Sequence, residues 1–246
     1  MKLEIANKLF INVPKHLVKI YNDFEPLTTS YVSNHLRPGD VFLDVGANIG
    51  YFSALASRLV GESGHVYAVE ASPEVLPILR DNTTELGNVS LLNFAVGNRR
   101  GWTDFYLTDD YVNSGVSMNP FLDNARKITI PIETLDHWYF GLEQERRRVD
   151  FIKCDVQGDE LAVLEGARKL IASTKHLKLI IEWAPTWMKK AGYDPESLPV
   201  AIESLGFKEV LIVDDWLQKE MSVHDMRVEF ARDVTARRFC NIFAAK

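Results

Sequence analysis

Residues 41–53 have the sequence Val41-Phe-Leu-Asp-Val-Gly-Ala-Asn-Ile-Gly-Tyr-Phe-Ser53, which combines a strand, a glycine turn and the start of a helix. The first five residues are almost all apolar, as in a strand that is buried on both faces of a parallel sheet. Gly46 and Gly50 flank the turn, and without a Cβ the backbone can bend sharply there and approach a ligand. A helix is predicted over residues 49–60. In an open α/β sheet such a junction lies where small molecules bind.

Two classes of ligand are compatible with this glycine loop. A dinucleotide fingerprint requires G-x-G-x-x-G, whereas the loop is Asp44-x-Gly46-x-x-x-Gly50, with Asn48 in place of the second glycine. The spacing therefore disfavours a pyrophosphate and resembles the D-x-G-x-x-x-G turn of S-adenosylmethionine-dependent methyltransferases. Glu70 ends the next predicted strand and is placed to accept hydrogen bonds from ribose hydroxyls. That acid indicates an adenosine ligand without choosing between S-adenosylmethionine and NAD. A strand-turn-helix without any ligand is the structural alternative.

The length and composition of the chain narrow the classes of protein to which it can belong. The chain has 246 residues, of which 46% are hydrophobic, and without a linker, a repeat or a low-complexity run we expect a single domain over residues 1–246. A net charge of -6 provides no basic footprint for general nucleic-acid binding. Cys154 and Cys240 lie far apart, which suits reduced thiols in a cytoplasmic protein. The sequence shows neither an export signal nor an apolar run long enough to span a membrane.

The order of predicted elements indicates a Rossmann-like α/β fold. Residues 1–38 are expected to form mixed helix and loop, and they could cover the ligand loop as a lid or cap. Further strands are predicted over residues 65–70, 89–96, 149–155, 177–183, 207–213 and 237–244. Helices are predicted over residues 73–86, 135–145 and 195–205, and another ends near residue 170. Residues 214–232 have the pattern of a polar excursion, so the last two strands should form an antiparallel edge hairpin. We predict a seven-stranded, mostly parallel sheet with helices on both faces.

Residues 102–133 interrupt the alternation of strands and helices. Two short strands, over residues 103–107 and 127–132, surround a polar loop over residues 109–124 that contains Asn113 and Ser114. Such an insertion is a candidate cover for the substrate, because loops on a rigid scaffold tend to carry specificity. An ordinary surface excursion is the alternative.

A second concentration of chemistry follows the strand over residues 149–155. Lys153 and Asp155 share one face of that strand, and a lysine in an apolar strand requires an acidic partner. Glu182, near the end of the next strand, is expected to reach the same edge of the sheet. The aromatic residues Trp183 and Trp187 come next and could wall a substrate pocket. Structural alternatives are an ion-pair network for the charged residues and core packing for the tryptophans.

Several motifs together resemble those of FkbM-family methyltransferases over roughly residues 25–183. They are Glu25-Pro-x-x-Thr29, the stretch from Pro38 to Ser53, Val66-Tyr-Ala-Val-Glu70, Ala95-Val-Gly97, Asn113-Ser-Gly115, Asp150-Phe-Ile-Lys-Cys-Asp-Val-Gln-Gly158 and Ile181-Glu182. The resemblance implies an O-methyltransferase that moves a methyl group from S-adenosylmethionine to a hydroxyl of a sugar, a glycan or a secondary metabolite. The cofactor-binding residues expected on this basis are Glu25, Thr29, Asp44, Gly46, Ala47, Asn48, Gly50, Tyr51, Glu70, Ala71, Ser72, Ala95 and Asp155.

The chemistry assigns provisional roles to the acids. A neutral alcohol needs a group that removes its proton, so Asp155 is the candidate base or metal ligand, Glu182 supports it and Lys153 orients both. Paired carboxylates could hold Mg²⁺, although independence of a metal is equally compatible with the sequence. Candidate acceptor contacts are Asn113, Ser114, Gln157, Trp183 and Trp187.

Gln157 is a departure from the family pattern. It replaces the glutamate of the usual K-I-D-V-E-G motif, which puts a role of that acid in doubt. An NAD-dependent oxidoreductase and a catalytically silent binding protein with the same fold remain the alternative functions.

Overall fold

The computed structural model describes residues 1–6, 9–108, 114–116, 125–144, 147–232 and 239–246. The strands are β1 (Lys2–Ala6), β2 (Leu9–Asn12), β3 (Val41–Val45), β4 (His65–Val69), β5 (Val89–Leu92), β6 (Ala95–Val96), β7 (Gly101–Leu107), β8 (Arg126–Glu133), β9 (Phe151–Cys154), β10 (Lys178–Trp183), β11 (Glu209–Asp214), β12 (Lys219–Met221) and β13 (Cys240–Ala245). The helices are α1 (Val18–Tyr21), α2 (Pro26–His35), α3 (Tyr51–Val60), α4 (Leu76–Thr83), α5 (Leu135–Gly141), α6 (Glu160–Glu165), α7 (Arg168–Ser173), α8 (Pro185–Lys190), α9 (Ser197–Ser204) and α10 (Val223–Arg232).

The main sheet has the strand order β12-β11-β13-β10-β9-β3-β4-β5. Strands β10, β9, β3, β4 and β5 are parallel, and β13 pairs antiparallel with both β10 and β11. The predicted α/β class with an antiparallel edge is therefore confirmed. The prediction of seven strands was wrong, because β12 adds an eighth in the described part of the chain. Asp214 Oδ1 accepts hydrogen bonds from the backbone of Trp216 and Leu217 at 2.9 and 3.0 Å, and this turn brings β12 back beside β11.

The core lies on both faces of this sheet. Alternate side chains of β3 point to opposite faces, so Leu43 and Val45 belong to one apolar cluster and Phe42 to the other. Helices α5, α6, α7 and α9 cover the first face, and α2 and α3 cover the second. Because β3 is covered on both faces, its carboxyl end is the part of the strand that is open to a ligand.

A small second sheet stands beside the end of the main sheet and has the order β6-β8-β7. The two strands predicted in the insertion are present as β7 and β8, which pair antiparallel. The single strand predicted over residues 89–96 was wrong, because β5 belongs to the main sheet and β6 to the small one. Asn93 lies at the break, where its side-chain amide donates a hydrogen bond to the Glu70 carbonyl at 2.7 Å.

The N-terminal segment differs from the prediction of mixed helix and loop. It begins with an antiparallel hairpin of β1 and β2, and the terminal ammonium donates to the Val13 carbonyl at 2.9 Å. Ile11 and Val13 are buried against the face of the sheet that α3 covers. The apolar residues of this segment follow the two-residue period of a strand, which explains the hairpin. Helices α1 and α2 then lead to β3.

Three helical regions also differ from their predictions. The helix expected to end near residue 170 is divided into α6 and α7 at Gly166, which packs against the Gly97 carbonyl, and Asp136 caps α7 through the Leu170 N–H at 2.8 Å. The polar excursion over residues 214–232 contains β12 and α10, and the aromatic stretch after β10 forms α8. No helix among the described residues has the length and apolar character needed to cross a bilayer.

Candidate active site

A cleft that is partly open to solvent lies at the carboxyl ends of β3, β4 and β9. In an open α/β sheet, small molecules bind at this end of the strands. Tyr21 and Phe24 of the N-terminal segment, the start of α3, the small sheet and residues 114–116 form its other walls. Residues from distant parts of the chain thus converge on the edge of the sheet predicted to bind a ligand.

The glycine loop is tied to two neighbouring strands. The N–H groups of Gly46 and Ala47 both donate to the Val69 carbonyl, at 3.0 and 2.9 Å. Gly46 has a φ of +83°, and a Cβ there would overlap the main-chain carbonyl of Asp155. Gly50 has a φ of +92°, and a Cβ there would lie 2.7 Å from Leu79. The packing of the loop therefore requires a glycine at position 46, whereas at position 50 it is the backbone conformation that favours glycine.

Glu70 lines the cleft at the end of β4 and organises the opposite wall. Its carboxylate accepts hydrogen bonds from the Asn48 N–H at 2.8 Å and from the Ser72 N–H at 2.7 Å. Burial raises the pKa of Glu70 to about 7, although both backbone hydrogen bonds favour the ionised form. Asn48 has a φ of +49°, and its side-chain carbonyl accepts a hydrogen bond from the Tyr21 hydroxyl at 3.2 Å.

Asp44 lies at the floor of the cleft with one oxygen unpaired. Ser53 donates a hydrogen bond to Asp44 Oδ2 at 2.6 Å, whereas Asp44 Oδ1 is buried and has no partner among the described residues. Burial raises the pKa of Asp44 above its ordinary value, and the nearby Lys153 ammonium opposes that rise. A buried acceptor without a donor costs free energy, so this oxygen is suited to a hydrogen-bond donor on a ligand.

Lys153 occupies the centre of the buried charges. Its side chain is only 4% exposed, and its Nζ lies 3.5 Å from Asp155 Oδ2 and 4.8 Å from the centre of the Phe52 ring. Burial by itself would lower the pKa of Lys153, but the surrounding carboxylates, of which Asp155 and Glu25 contribute most, raise it above its ordinary value. Lys153 therefore remains a cation that compensates several acids at once.

Asp155 faces the cleft and is held from two sides. Gln157 Nε2 donates a hydrogen bond to Asp155 Oδ1 at 2.9 Å, and Lys153 lies beside the other oxygen. Gln157 adopts the left-handed region with a φ of +60°, which is uncommon for a residue with a side chain. The turn that imposes this conformation continues through Gly158, which packs against the backbone of Trp187. Gln157 thus holds the carboxylate where the family glutamate would repel it.

The structure brings most of the predicted cofactor residues together. Those that line the cleft are Asp44, Gly46, Ala47, Asn48, Tyr51, Glu70, Ala71, Ala95 and Asp155. The other four stand behind this surface and support it. Thr29 Oγ1 is 3.2 Å from the Tyr51 hydroxyl, Gly50 begins α3, Ser72 donates to Glu70, and Glu25 accepts a hydrogen bond from Asn241 Nδ2 at 3.4 Å.

Some of the predicted catalytic and substrate-binding residues line the cleft, and others do not. Lys153, Asp155, Ser114 and Gln157 line the cleft. Glu182 does not line it, although its carboxylate lies within 4.8 Å of that of Asp155. Asn113 lies outside the described residues.

The structure does not place the two tryptophans on the cleft. Trp183 is 1% exposed and donates from Nε1 to the Pro195 carbonyl at 3.0 Å, so it belongs to the core. Trp187 stacks under Lys190, whose Nζ is 4.4 Å from the ring centre. The interpretation as core packing, left open by the sequence, therefore describes Trp183.

Sequence reasoning missed an aromatic wall. Tyr21 and Phe24, in the segment predicted as mixed helix and loop, line the cleft together with Tyr51 and Phe52. The rings of Tyr21 and Phe24 stack with centres 4.5 Å apart, and Phe24 meets Tyr51 at 5.1 Å. The sequence feature that could have predicted this wall is that these aromatic residues come shortly before β3, the strand that leads into the glycine loop. Asp159, which directly precedes α6, also lines the cleft and was not among the predicted site residues.

The sheet, the glycine loop after β3 and the acid at the end of β4 define the class I, S-adenosylmethionine-dependent methyltransferase fold. Residues 44–209, more than half of the chain, match the family model described as Methyltransferase FkbM domain. The chain therefore belongs to the FkbM methyltransferase family, which confirms the resemblance found in the sequence. This membership also decides between the two cofactor classes compatible with the loop, in favour of S-adenosylmethionine.

Curated relatives match shorter parts of the chain. The protein-L-isoaspartate O-methyltransferase of Aeropyrum pernix is 44% identical over 62 residues, which cover 25% of this chain and 24% of that protein. The enzyme of the same name from Hyperthermus butylicus is 30% identical over 131 residues, covering 47% of this chain and 54% of that protein. The chain thus spans between a quarter and about half the length of these relatives.

Solved structures share the fold at low sequence identity. A S-adenosylmethionine-dependent methyltransferase from Aquifex aeolicus has a TM-score of 0.51 at 17% identity, over 95% of this chain and 98% of that one. Precorrin-6y C5,15-methyltransferase from Geobacter metallireducens has a TM-score of 0.54 at 13% identity, over 96% and 94%. The FkbM methyltransferase from Methylobacillus flagellatus has a TM-score of 0.50 at 14% identity, over 94% and 55%.

Proposed function

We propose that this chain is an O-methyltransferase that acts on a hydroxyl group of a sugar, a glycan or a secondary metabolite. The observation that carries the proposal is the Asp155 carboxylate, which faces the cleft while Gln157 and Lys153 hold it from behind. S-adenosylmethionine, when bound, supplies an electrophilic methyl group. Asp155 would accept the proton of the acceptor hydroxyl, whose oxygen is otherwise a poor nucleophile. The rigid walls would hold that oxygen in line for the displacement.

The residues of the cleft fit this cofactor. Asp44 Oδ1 is a buried acceptor that lacks a donor, and an ammonium group of a ligand would supply one. Glu70 is the acid expected to accept hydrogen bonds from the ribose hydroxyls. Each of its oxygens already accepts one backbone hydrogen bond and retains a second lone pair for the ligand. The ring faces of Tyr21, Phe24 and Phe52 suit a ligand that carries positive charge. Ala71 and Ala95 also line the cleft, and their small side chains leave room for a ligand.

The charge of the cleft favours a neutral acceptor. Among the described residues that line it, Asp44, Glu70, Asp155 and Asp159 are acids, and Lys153 is the one lysine or arginine. A carboxylate substrate, as in protein-L-isoaspartate O-methyltransferases, would meet this excess of negative charge, whereas a hydroxyl would not. This contrast supports hydroxyl acceptors over the substrate in the name of the partial relatives.

The N-terminal segment and the insertion supply the remaining walls. Tyr21 and Phe24 belong to residues 1–38, and Ser114 and Phe105 to residues 102–133. We expect these two segments to enclose the acceptor and to carry its specificity, as loops on a rigid scaffold commonly do. We propose a small molecule or the end of a glycan as the acceptor that these walls would enclose.

The test is transfer of a labelled methyl group to a panel of sugars, glycans, hydroxylated metabolites and an isoaspartyl peptide. Methylation of a hydroxyl acceptor is expected, and Asp155→Asn should lower its turnover about a hundredfold or more while cofactor affinity changes little. Asp104→Asn, which removes a surface charge that does not line the cleft, is the matched control.

Three results would overturn the proposal. Methylation of the peptide alone would assign a carboxyl acceptor. Cofactor binding without turnover on any acceptor would leave a silent binding protein. Full activity in Asp155→Asn would remove the proposed base.

A further inference from the structure

Three carboxylates from separate elements meet behind the floor of the cleft. Asp155 follows β9, Glu160 begins α6 and Glu182 lies in β10, and one oxygen from each lies within 4.8 Å of the others. Glu160 is 0% and Glu182 is 5% exposed, whereas Asp155 opens onto the cleft. The group therefore has two buried members and one member in contact with the proposed acceptor site.

Hydrogen bonds orient two of these carboxylates in advance. Glu160 accepts the Val156 N–H on Oε1 at 2.9 Å and the Gly158 N–H on Oε2 at 3.0 Å. Asp155 accepts the Gln157 amide at 2.9 Å. Metal-binding carboxylates are commonly fixed by such outer hydrogen bonds, which leave lone pairs free for an ion.

The third carboxylate has an oxygen without a partner. Glu182 Oε2 is buried and receives no hydrogen bond within the described part of the chain. The carboxylates of Asp155 and Glu160 lie beside Glu182, and this concentration of acidic groups attracts a cation. An unpaired buried oxygen on a carboxylate that lies beside two others is independent support for a ligand with positive charge.

The balance of buried charge points the same way. Among the described residues, the buried charged side chains are six acids, namely Asp44, Glu70, Asp159, Glu160, Glu182 and Asp214, and one lysine. That lysine, Lys153, is shared among Asp155, Glu25, Asp44 and Glu182. A cation near Glu160 and Glu182 would therefore reduce the remaining excess of buried acidic groups.

We propose that Asp155, Glu160 and Glu182 bind a hard divalent cation such as Mg²⁺ or Mn²⁺. Carboxylate oxygens are the ligands that such ions prefer, and the separation of the three oxygens requires only a small contraction to reach their coordination distances. The ion would act through Asp155, the one ligand that faces the cleft: it would fix this carboxylate, and the proton of the acceptor hydroxyl would pass to the Asp155 oxygen that the ion leaves free. This catalytic role rests on the proposed function, but binding of the ion does not.

The test begins with the cofactor-free chain. Titration calorimetry with MgCl2, MnCl2 and CaCl2 at constant ionic strength should show one site, and Mn²⁺ should lose its free-ion EPR signal with the same stoichiometry. At a hundredfold excess over Kd, the ion should raise the Tm by about 5 to 10 °C. The absence of heat, of EPR loss and of a Tm shift with all three ions would overturn the inference.

Glu182→Gln keeps the size of the side chain and removes the unpaired charge. This variant should lower the affinity for the ion at least tenfold. It should not destabilise the ion-free chain, because it removes a buried acidic group. Asp104→Asn removes a charge at the surface and should leave the affinity unchanged. Equal affinity in Glu182→Gln would place the ion elsewhere and would overturn the assignment.

A last measurement separates the two proposals. S-adenosylmethionine affinity is measured in the presence of a chelator. Cofactor binding without any ion binding would remove the cation site and leave the proposed function. Ion binding without cofactor binding would support the cation site and would overturn the proposed function.

Discussion

The Cα of Gly46 packs against the main-chain carbonyl of Asp155 so closely that no side chain could stand between them. The same turn donates two N–H groups to the Val69 carbonyl at the end of β4. One glycine therefore connects the cofactor loop, the strand that ends in Glu70 and the strand that ends in the proposed base. The loop proposed to bind the cofactor and the carboxylate proposed to act as base are therefore positioned by the same contact.

Gly46→Ala should be more destabilising than its backbone conformation alone would explain. Gly206 has the same φ of +83° with open space around it, so Gly206→Ala measures the backbone strain by itself. We expect a loss of about 1 kcal/mol for Gly206→Ala and of about 3 kcal/mol or more for Gly46→Ala, measured by urea unfolding. Equal losses in the two variants would contradict the contact between Gly46 and Asp155.

Cofactor affinity should rise with pH and then level off near pH 7. Burial raises the pKa of Glu70 to about 7, so below that pH the free chain holds a proton on this acid. Ribose hydroxyls donate to the ionised form, so binding must release the proton. Affinity should therefore increase by up to about tenfold per pH unit below 7 and stay constant above it, as measured by calorimetry.

Two variants assign this pH dependence. Glu70→Gln should bind more weakly and show a flat profile. Glu25→Gln is the matched control, because burial also raises the pKa of Glu25 to about 7 but its side chain stands behind the cleft wall. A profile that becomes flat in Glu25→Gln instead would assign the proton to Glu25.

Lys153→Met should destabilise the fold, and the loss should grow with pH. The ammonium compensates Asp155, Glu25, Asp44 and Glu182, and its removal leaves buried carboxylates without a counter-charge. Their folded-state pKa values then rise further, so between about pH 4.5 and those values the folded chain holds protons that the unfolded chain has released. Stability must then fall as pH rises, by about 3 kcal/mol at neutral pH.

Unfolding at several pH values measures this effect. Lys127→Met removes an exposed ion pair with Asp104 and should stay close to the wild type throughout. A loss in Lys153→Met that did not change with pH would point to packing as its cause.

Trp183→Phe should lower stability and leave acceptor kinetics unchanged. The indole donates to the Pro195 carbonyl and packs edge-on against Phe230 at 5.0 Å, in the core behind the cleft. We expect a loss of about 1 to 3 kcal/mol, from the unpaired carbonyl and the smaller ring, with KM for the acceptor as in the wild type. A raised KM at unchanged stability would restore the interpretation of Trp183 as a substrate contact.

Local patterns explain which parts of the site could be predicted. Lys153 and Asp155 were expected on one face because a strand alternates its side chains, and the structure places them 3.5 Å apart. Glu160 was not among the predicted site residues. The inward direction of its side chain depends on how the turn over residues 156–158 presents its N–H groups, which no local pattern shows. Trp183 was misplaced for a similar reason, because α9 and α10 cover the end of β10.

The sequence by itself determined the α/β class, the glycine turn after β3, the family and the positions of Glu70, Lys153 and Asp155. These features depend on interactions within a few residues or on a short period, so they are visible along the chain. Tertiary structure alone decided that Tyr21 and Phe24 face the cleft, that Gly46 contacts Asp155, and that Glu160 and Glu182 approach each other. Such contacts join residues far apart in sequence, and only the packing of helices against both faces of the sheet brings them together.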